Sequence, residues 1–294
     1  MIGFSFPTRV SGRRGGFLSW NVIFIISLVS LSAADPGSGP LVYLDDFRGN
    51  DTQARFVIEA ELYSGRIVGA SGDDWWEVNG ANQLFLEGPN AGQTAPGAFP
   101  GARDNYMEAL GPSFLPIVPF DPSYNGPYLD YKVRVETTGN YEFFARWAAR
   151  DGETDSFYVY ILDPAGAPLL GSGPDFFTFH QSHGTWVLET RGIANSTVTG
   201  GVGFPDTANW TIDQSGDYTI RVAQRETETA LDAFIFQTAN LATPVGVGPP
   251  VSVTVPEPSQ IVLLIAGLSI LLAMQRKRPV SSWFSRRTTM TDQG

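Results

Sequence analysis

The sequence predicts an all-β protein whose strands form an antiparallel β-sandwich. Between residues 56 and 240, short segments rich in Val, Ile, Tyr, Phe and Trp alternate with turns of Gly, Pro, Asn and Asp. No long stretch of this region repeats its apolar residues at the roughly 3.6-residue period of a helix. Residues 128–136 alternate apolar and polar side chains, which is typical of a strand with one buried and one solvated face.

The individual strands follow from the same signals. The predicted strands cover residues 56–62, 128–136, 139–148, 156–162, 185–189, 217–224 and 230–238. Thr138, Gly139 and Asn140 separate two of these strands and predict a hairpin turn. About 200 residues lie between the terminal segments, which is enough for one sandwich with a full core.

The N-terminus has the layout of a secretory signal peptide at residues 1–34. Three arginines precede an apolar stretch at residues 17–31, and small residues at 32–34 precede Asp35. An uncleaved transmembrane anchor is the alternative interpretation. We therefore expect an exported chain in which residues 35–55 form a polar lead-in to the sandwich domain at 56–240.

The C-terminal segment has three parts in a fixed order. They are Pro256, Glu257 and Pro258, an uncharged apolar run at residues 261–274, and the basic triplet Arg276, Lys277 and Arg278. As a helix the apolar run would be about 21 Å long, which is shorter than a hydrocarbon core of about 30 Å. Local bilayer thinning would allow a transient membrane contact. The basic triplet is expected to stay on the cytoplasmic side.

This order of parts, at residues 255–278, resembles the PEP-CTERM sorting signal of exopolysaccharide-producing bacteria. The resemblance implies that a membrane protease called exosortase recognises the tail and cuts near the Pro-Glu-Pro motif. An ordinary C-terminal anchor is the alternative. Residues 279–294 would form a basic cytoplasmic tail, and the Pro, Gly and Val linker at 241–254 would be an extended spacer. We expect the mature chain at the cell surface or in the extracellular matrix, anchored in the membrane before processing.

Composition limits the function classes. Residues 35–255 contain 11 basic and 28 acidic side chains, and this negative charge argues against binding to nucleic acid or to anionic lipid. It is compatible with divalent cations and neutral glycans. The chain contains no cysteine, so disulfides and thiol nucleophiles are excluded. Sequence motifs for acyl transfer, phosphate binding or zinc hydrolysis are also missing, which predicts a non-catalytic protein.

Three segments of the sandwich region carry a second resemblance. They are Ile58-Glu59-Ala60-Glu61, the strand GNYEFFARW that begins at Gly139, and GDYTIRV from Gly216 followed by Leu231-Asp232. Their order and spacing resemble carbohydrate-binding modules of families 6 and 35, which are galactose-binding-like β-sandwiches of the jelly-roll kind. The resemblance implies a structural calcium ion bound by Glu59, Glu61 and Asp232.

The residues themselves are consistent with such a site. Glu59 and Glu61 are two apart in a predicted strand, so their side chains leave the same face. Neighbouring like charges repel unless a cation, an arginine or solvent lies between them. Calcium accepts six to eight oxygen ligands, including carboxylates and carbonyls. The alternative is a solvated strand face with Arg221 or Arg225 opposite.

Glycan binding requires aromatic rings beside hydrogen-bonding groups, because the C–H face of a sugar packs on a ring. The candidates are Trp75 and Trp76, which follow two aspartates, and Tyr124 with Asn125. Adjacent tryptophans in one strand cannot both face the core, so we expect one of them at the surface or in a cleft. The alternative places both in the core. We therefore predict a non-catalytic surface or matrix protein that binds polysaccharide, with a purely structural matrix protein or a glycan-active enzyme as alternatives.

Overall fold

The computed structural model describes residues 41–256, except 71, 98, 112–123, 153, 155, 170–175, 181–183 and 196–201, and gives only the backbone at 191–195, 202–206 and 256. This described part contains sixteen strands and no helix. The strands are β1 (Leu41–Leu44), β2 (Arg55–Glu59), β3 (Gly65–Ile67), β4 (Asp74–Val78), β5 (Tyr106–Leu110), β6 (Tyr128–Val135), β7 (Gly139–Ala148), β8 (Ser156–Leu162), β9 (Phe176–His180), β10 (Val187–Glu189), β11 (Arg191–Asn195), β12 (Val202–Thr207), β13 (Asn209–Ile212), β14 (Gly216–Gln224), β15 (Ala230–Thr238) and β16 (Thr254–Pro256).

The strands form two sheets that pack face to face. The nine-stranded sheet has the order β12-β11-β9-β8-β14-β6-β1-β16, and β3 also pairs with β6. The seven-stranded sheet has the order β10-β7-β15-β5-β4, with β13 on β7 and β2 on β15. All of these pairings are antiparallel except that of β1 with β6. The predicted antiparallel β-sandwich is confirmed.

The long predicted strands lie where the sequence indicates. β7, β8 and β15 begin and end at the predicted residues. β6 alternates half-buried and buried positions along its whole length, as the apolar and polar alternation predicts. These strands pair at the centre of the two sheets, where one face of each contacts the core.

The predicted hairpin at residues 138–140 is wrong. β6 belongs to the nine-stranded sheet and β7 to the seven-stranded sheet, so the turn between them crosses from one layer to the other. Gly139 has a φ of +148°, a backbone conformation that residues with a Cβ rarely adopt. Both strands bury their apolar faces in the space between the two sheets. A turn that crosses between the sheets allows this as well as a hairpin within one sheet does, so the apolar pattern does not distinguish them.

Aromatic side chains fill the space between the sheets. Phe143, Phe157, Phe179 and Trp147 are fully buried and contact one another, with ring centroids of Phe157 and Phe179 5.0 Å apart. Aromatic pairs of this kind stabilise a core by about 0.5–1.5 kcal/mol beyond the area that they bury. This core provides the rigid support for both outer faces of the sandwich.

The loop at residues 79–105 covers part of the outer face of the seven-stranded sheet. Phe85, Ala95 and Phe99 from this loop form a second buried cluster with Tyr106 of β5. Trp186 packs on the same cluster, with its ring centroid 5.7 Å from that of Phe99. The loop therefore has a core of its own and holds Arg103 against the sheet.

Two strands of the sandwich lie outside the predicted domain at 56–240. β1 lies within the expected polar lead-in, and β16 begins at the last residue of the expected spacer. We call residues 241–256 the strap, because they run back along the sandwich instead of extending from it. The strap contacts β2 through Ser252, whose backbone N–H donates to the carbonyl of Val57 at 2.9 Å, and its last three residues pair with β1.

The predicted signal peptide and most of the sorting signal lie outside the described residues. Pro256 is the last described residue, in register with Leu41. Glu257, Pro258, the apolar run at 261–274 and the basic triplet at 276–278 stay sequence-based predictions. Among the described residues there is no helix long and apolar enough to cross a membrane.

Candidate functional site

The three carboxylates predicted to bind calcium come from two neighbouring strands and, for Glu61, from the turn after the first of them. Glu59 ends β2, which pairs with β15, and Glu59 is in register with Ala233. Asp232 precedes that residue at an irregularity of β15, and its carbonyl accepts a hydrogen bond from the N–H of Ala60 at 2.9 Å. Glu61 follows two residues after Glu59. All three side chains are buried, with exposed fractions of 6% for Glu59, 8% for Glu61 and 0% for Asp232. We call this group the acidic cluster.

Two arginines that no sequence pattern indicates face the acidic cluster. A guanidinium nitrogen of Arg103 lies 3.1 Å from Glu59 Oε1, and the Arg103 backbone N–H donates to Asp232 Oδ1 at 3.0 Å. Arg146 of β7 forms an ion pair with Asp232 and donates to the carbonyl of Gly101 at 2.8 Å. Arg221 and Arg225, the alternative partners for Glu59 and Glu61, pair with other acidic residues. Arg221 pairs with Asp130, and Arg225 pairs with Glu226.

Hydrogen bonds and ion pairs only partly offset the cost of burying the two glutamates of the cluster. Glu59 Oε2 and Glu61 Oε2 are buried and have no hydrogen-bond partner. Burial raises the pKa of Glu59 to about 7, and Arg103 opposes that rise. Burial also raises the pKa of Glu61 to about 9, and the charges of Glu59 and Asp232 add to it. Arg103 and Arg146 therefore do not offset the burial of all three carboxylates, and Glu61 keeps its proton at neutral pH.

The donor atoms suit a hard divalent cation. Calcium prefers carboxylate and carbonyl oxygens, and the two unpaired glutamate oxygens are of this kind. In the described part of the chain, no three acidic or histidine side chains lie close enough together to hold a metal ion. The cluster thus offers the right ligand chemistry, but its three carboxylates do not converge on one point in this structure.

The two predicted tryptophans lie on opposite sides of the seven-stranded sheet. Trp75 is fully buried in the main core. The expectation that Trp75 is accessible to a ligand is wrong, because its side chain points inward from β4 into the core. Trp76 points outward and is half-buried. The guanidinium carbon of Arg66 lies 4.5 Å from its ring centroid, and Gly88 packs so closely that a Cβ there would overlap the ring.

Tyr124 and Asn125 lie near the other sheet. The Tyr124 hydroxyl donates to the carbonyl of Gln224 at 2.8 Å, and the ring packs against a cluster on the outer face of the nine-stranded sheet. Asn125 is exposed, and its carbonyl accepts a hydrogen bond from Ala70 N–H at 2.8 Å. Trp76 and Tyr124 thus belong to different faces of the sandwich and do not form one binding surface.

The outer face of the nine-stranded sheet carries a tyrosine cluster. Tyr158 and Tyr160 of β8 are nearly fully buried there, with Tyr128 and Tyr124 packed against them. Arg221 of β14 lies over Tyr128, its guanidinium carbon 3.6 Å from the ring centroid. Cation–π contacts of this type contribute about 0.5–2 kcal/mol. Only Tyr124 of this cluster was identified from the sequence.

A groove of about 250 Å³ lies beside the tyrosine cluster on the same face. Lys132 of β6 and Thr219 of β14 are in register and line it, together with Asp163 and Asp217. Asp217 also pairs with Arg134 at 2.7 Å. Every second residue of a strand faces the same side. The alternation of apolar and polar residues along β6 and β14 in the sequence therefore indicates that Lys132 and Thr219 lie on the outer face.

Comparisons with known proteins give no family assignment. No family model matches the chain, and no curated protein matches it. Similar solved structures include an isomalto-dextranase from Arthrobacter globiformis T6 complexed with panose, with a TM-score of 0.36 and 12% identity over 64% of this chain and 23% of that one.

Two further structures contain carbohydrate-binding modules of families 35 and 6. A family 35 module is part of a β-(1,4)-mannanase from Podospora anserina, with a TM-score of 0.32 and 15% identity over 66% of this chain and 29% of that one. The C-terminal family 6 module of a laminarinase from Zobellia galactanivorans has a TM-score of 0.29 and 13% identity over 63% of this chain and 99% of that one. The chain spans under a third of the length of the dextranase and the mannanase. Because these TM-scores are low, the fold is assigned from the strand pairings of this chain and not from the similar structures.

Proposed function

We propose that this chain is an exported, non-catalytic polysaccharide-binding protein of the cell surface or extracellular matrix. The observation that carries the polysaccharide-binding part of this proposal is the polar groove on the outer face of the nine-stranded sheet. Lys132 and Thr219 line it with an ammonium and a hydroxyl group, and Asp163 adds a carboxylate. Sugar hydroxyl groups both donate and accept hydrogen bonds, so this mixture suits a glycan better than an apolar ligand.

The size of the groove favours a short contact with a long polymer. At about 250 Å³ the groove is below the roughly 300–1,000 Å³ of sites that enclose a small molecule. A polysaccharide chain that crosses the sheet would place only one or two sugar units in it. Affinity for the whole polymer would then depend on many copies of the protein acting together.

A pull-down tests glycan binding. The full-length chain in mild detergent is incubated with insoluble β-glucan, xylan, mannan and alginate, and the retained fraction is measured for the wild type and for the double variant Lys132→Ala, Thr219→Ala. We expect the double variant to lose retention with only a small change in melting temperature, because both side chains are half-buried on the outer face of the sheet and lie outside the buried core.

Arg150→Ala is the matched control, because it also removes one positive charge from a side chain that is 49% exposed. It should bind like the wild type. If the wild type is not retained on any of the polymers, the purely structural matrix protein becomes the better interpretation. Turnover of a polymer by the wild type would contradict the non-catalytic part of the proposal.

The proposal includes a C-terminal sorting signal and a structural calcium ion. An exosortase-type protease would remove the chain beyond Pro258, after transient membrane contact through residues 261–274. Mass spectrometry of the protein from its native cells tests this step, and a mature chain that still carries Arg276, Lys277 and Arg278 would contradict it. Calcium would bind at the acidic cluster, where the unpaired oxygens of Glu59 and Glu61 support the proposal.

A further inference from the structure

The strap differs in charge from the rest of the exported region. Residues 241–256 contain no charged side chain, whereas residues 35–240 contain 11 basic and 28 acidic ones. An uncharged strip on an acidic protein is a place where the protein can approach an apolar or zwitterionic surface without desolvating charge.

Valines project from this uncharged strip into solvent. Among the described residues, four of the seven large hydrophobic side chains that are exposed belong to the strap. Their exposed fractions are 82% for Val245, 57% for Val247, 37% for Val251 and 57% for Val253. We call these four side chains the valine ridge.

Hydrogen bonds to the sandwich hold part of the ridge in this orientation. The Ser252 hydroxyl accepts a hydrogen bond from Val57 N–H at 2.8 Å and donates to Asp46 Oδ1 at 2.7 Å. Because neighbouring residues of an extended chain point to opposite sides, an inward Ser252 turns Val251 and Val253 outward. The carbonyl of Val253 also accepts a hydrogen bond from Leu44 N–H at 2.9 Å.

The number of residues between β16 and the apolar run limits how far the ridge can lie from that run. β16 ends at Pro256 on the edge of the nine-stranded sheet, and the apolar run begins at residue 261. Five residues of extended chain span at most about 18 Å. When residues 261–274 enter a bilayer, the strap therefore cannot lie far from the bilayer surface.

We propose that the valine ridge contacts the lipid surface while the C-terminal tail is in the membrane. The partner is a zwitterionic bilayer, because the acidic remainder of the sandwich opposes approach to anionic lipid. Contact along the strap fixes the orientation of the sandwich on the membrane and presents residues 256–258 at the interface. This inference rests on the proposed membrane contact of residues 261–274.

Site-specific fluorescence tests the inference, because a chain without cysteine accepts a single label. The full-length variants Val251→Cys, Val253→Cys, Ser215→Cys and Ser269→Cys are each labelled with an environment-sensitive fluorophore and reconstituted into phosphatidylcholine vesicles. Quenching by nitroxide-labelled lipid and by aqueous iodide is then compared. Ser215 is an exposed residue between β13 and β14, and it serves as the control outside the strap.

We expect lipid quenching at positions 251 and 253 to be several times that at 215 and close to that at 269. Lipid quenching at 269 together with iodide quenching at 251 and 253 would overturn the inference and leave the membrane role of the tail intact. No lipid quenching at 269 would overturn both. Shielding of 251 and 253 that appears without vesicles and grows with protein concentration would assign the ridge to contact between two copies, and this also contradicts the proposal.

Discussion

Replacing Glu61 with glutamine should stabilise the calcium-free protein at neutral pH. Glu61 is buried, one of its oxygens is unpaired, and burial raises the pKa of its carboxyl group to about 9. At pH 7 the folded chain therefore keeps a proton that the unfolded chain releases. Glutamine resembles the protonated carboxyl group in shape and carries no charge, so Glu61→Gln removes this difference.

The size of the effect follows from the pKa. A carboxyl group with a pKa of 4.5 in the unfolded chain and about 9 in the folded chain lowers the stability at pH 7 by about 3 kcal/mol. The loss is absent below pH of about 4.5, grows as the pH rises, and stops growing near pH 9 because the folded state then also releases the proton. For a domain of this size, about 3 kcal/mol corresponds to roughly 6–12 °C in melting temperature.

Urea denaturation from pH 5 to 9, in chelator and in calcium, measures this effect. In chelator, wild-type stability should fall as the pH rises, and Glu61→Gln should flatten that slope. In calcium, the wild type should gain stability by mass action, because the ion binds the folded and not the unfolded chain. Glu61→Gln should gain less, because it loses a charged ligand.

Glu108→Gln is the matched control. Glu108 is fully buried, has an unpaired oxygen, and has a pKa raised to about 8 by burial, but the charges that act on it come from Glu228 and Arg150. It should share the stabilisation in chelator and keep the full calcium response. Equal stability of Glu61→Gln and the wild type at pH 7 in chelator would refute the electrostatic reasoning. An equal calcium response of both variants and the wild type would refute calcium at the acidic cluster.

Two further predictions concern packing and ion pairs. Trp75→Ala should lower the free energy of unfolding by about 3–5 kcal/mol because it empties a fully buried site. Thermal melts should show a smaller loss for Trp76→Ala, because Trp76 is half-buried. Equal losses for the two variants would contradict the placement of the two tryptophans. Arg146→Leu should lower that free energy by about 3–5 kcal/mol because it leaves buried Asp232 without its ion-pair partner, whereas Arg134→Leu at an exposed ion pair should change it by no more than about 1 kcal/mol.

Strand periodicity explains which parts of the fold were predictable. β6 shows its apolar alternation over eight residues, and β7 and β15 are long enough to stand out from the turns around them. β9 and β13 have only five and four residues. A segment that short cannot show a period, because a single exchange of residues changes its pattern. Their pairing depends on neighbours distant in sequence, which local patterns do not encode.

The turn between β6 and β7 shows a related limit. A glycine beside Asn and Thr indicates a reversal of the chain, and the structure contains that reversal at Gly139. The same turn chemistry serves a hairpin within one sheet and a crossing between two sheets. Which one forms depends on the partners available to each strand, here β14 for β6 and β15 for β7.

The acidic cluster was predictable in its carboxylates and not in its arginines. Glu59 and Glu61 are close in sequence, and the resemblance to carbohydrate-binding modules indicated Asp232. Arg103 lies in a loop and contacts an aspartate that is 129 residues away. Nothing in its local sequence marks it, because its position depends on how the loop at 79–105 packs on the seven-stranded sheet.

The strap shows how composition alone can mislead about a domain boundary. A segment rich in Pro, Gly and Val without charge is typical of a spacer, yet Gly248 packs on Ile235 and Ser252 bonds to Val57. The same lack of charge allows the segment to cover an apolar sheet face, and its prolines supply no N–H groups that would need partners there. Ending the domain at residue 240 would expose the Ile235 side chain and leave the edge of β1 unpaired. The strap is therefore part of the sandwich, whose described strands extend to Pro256, the first residue of the motif predicted to be cleaved.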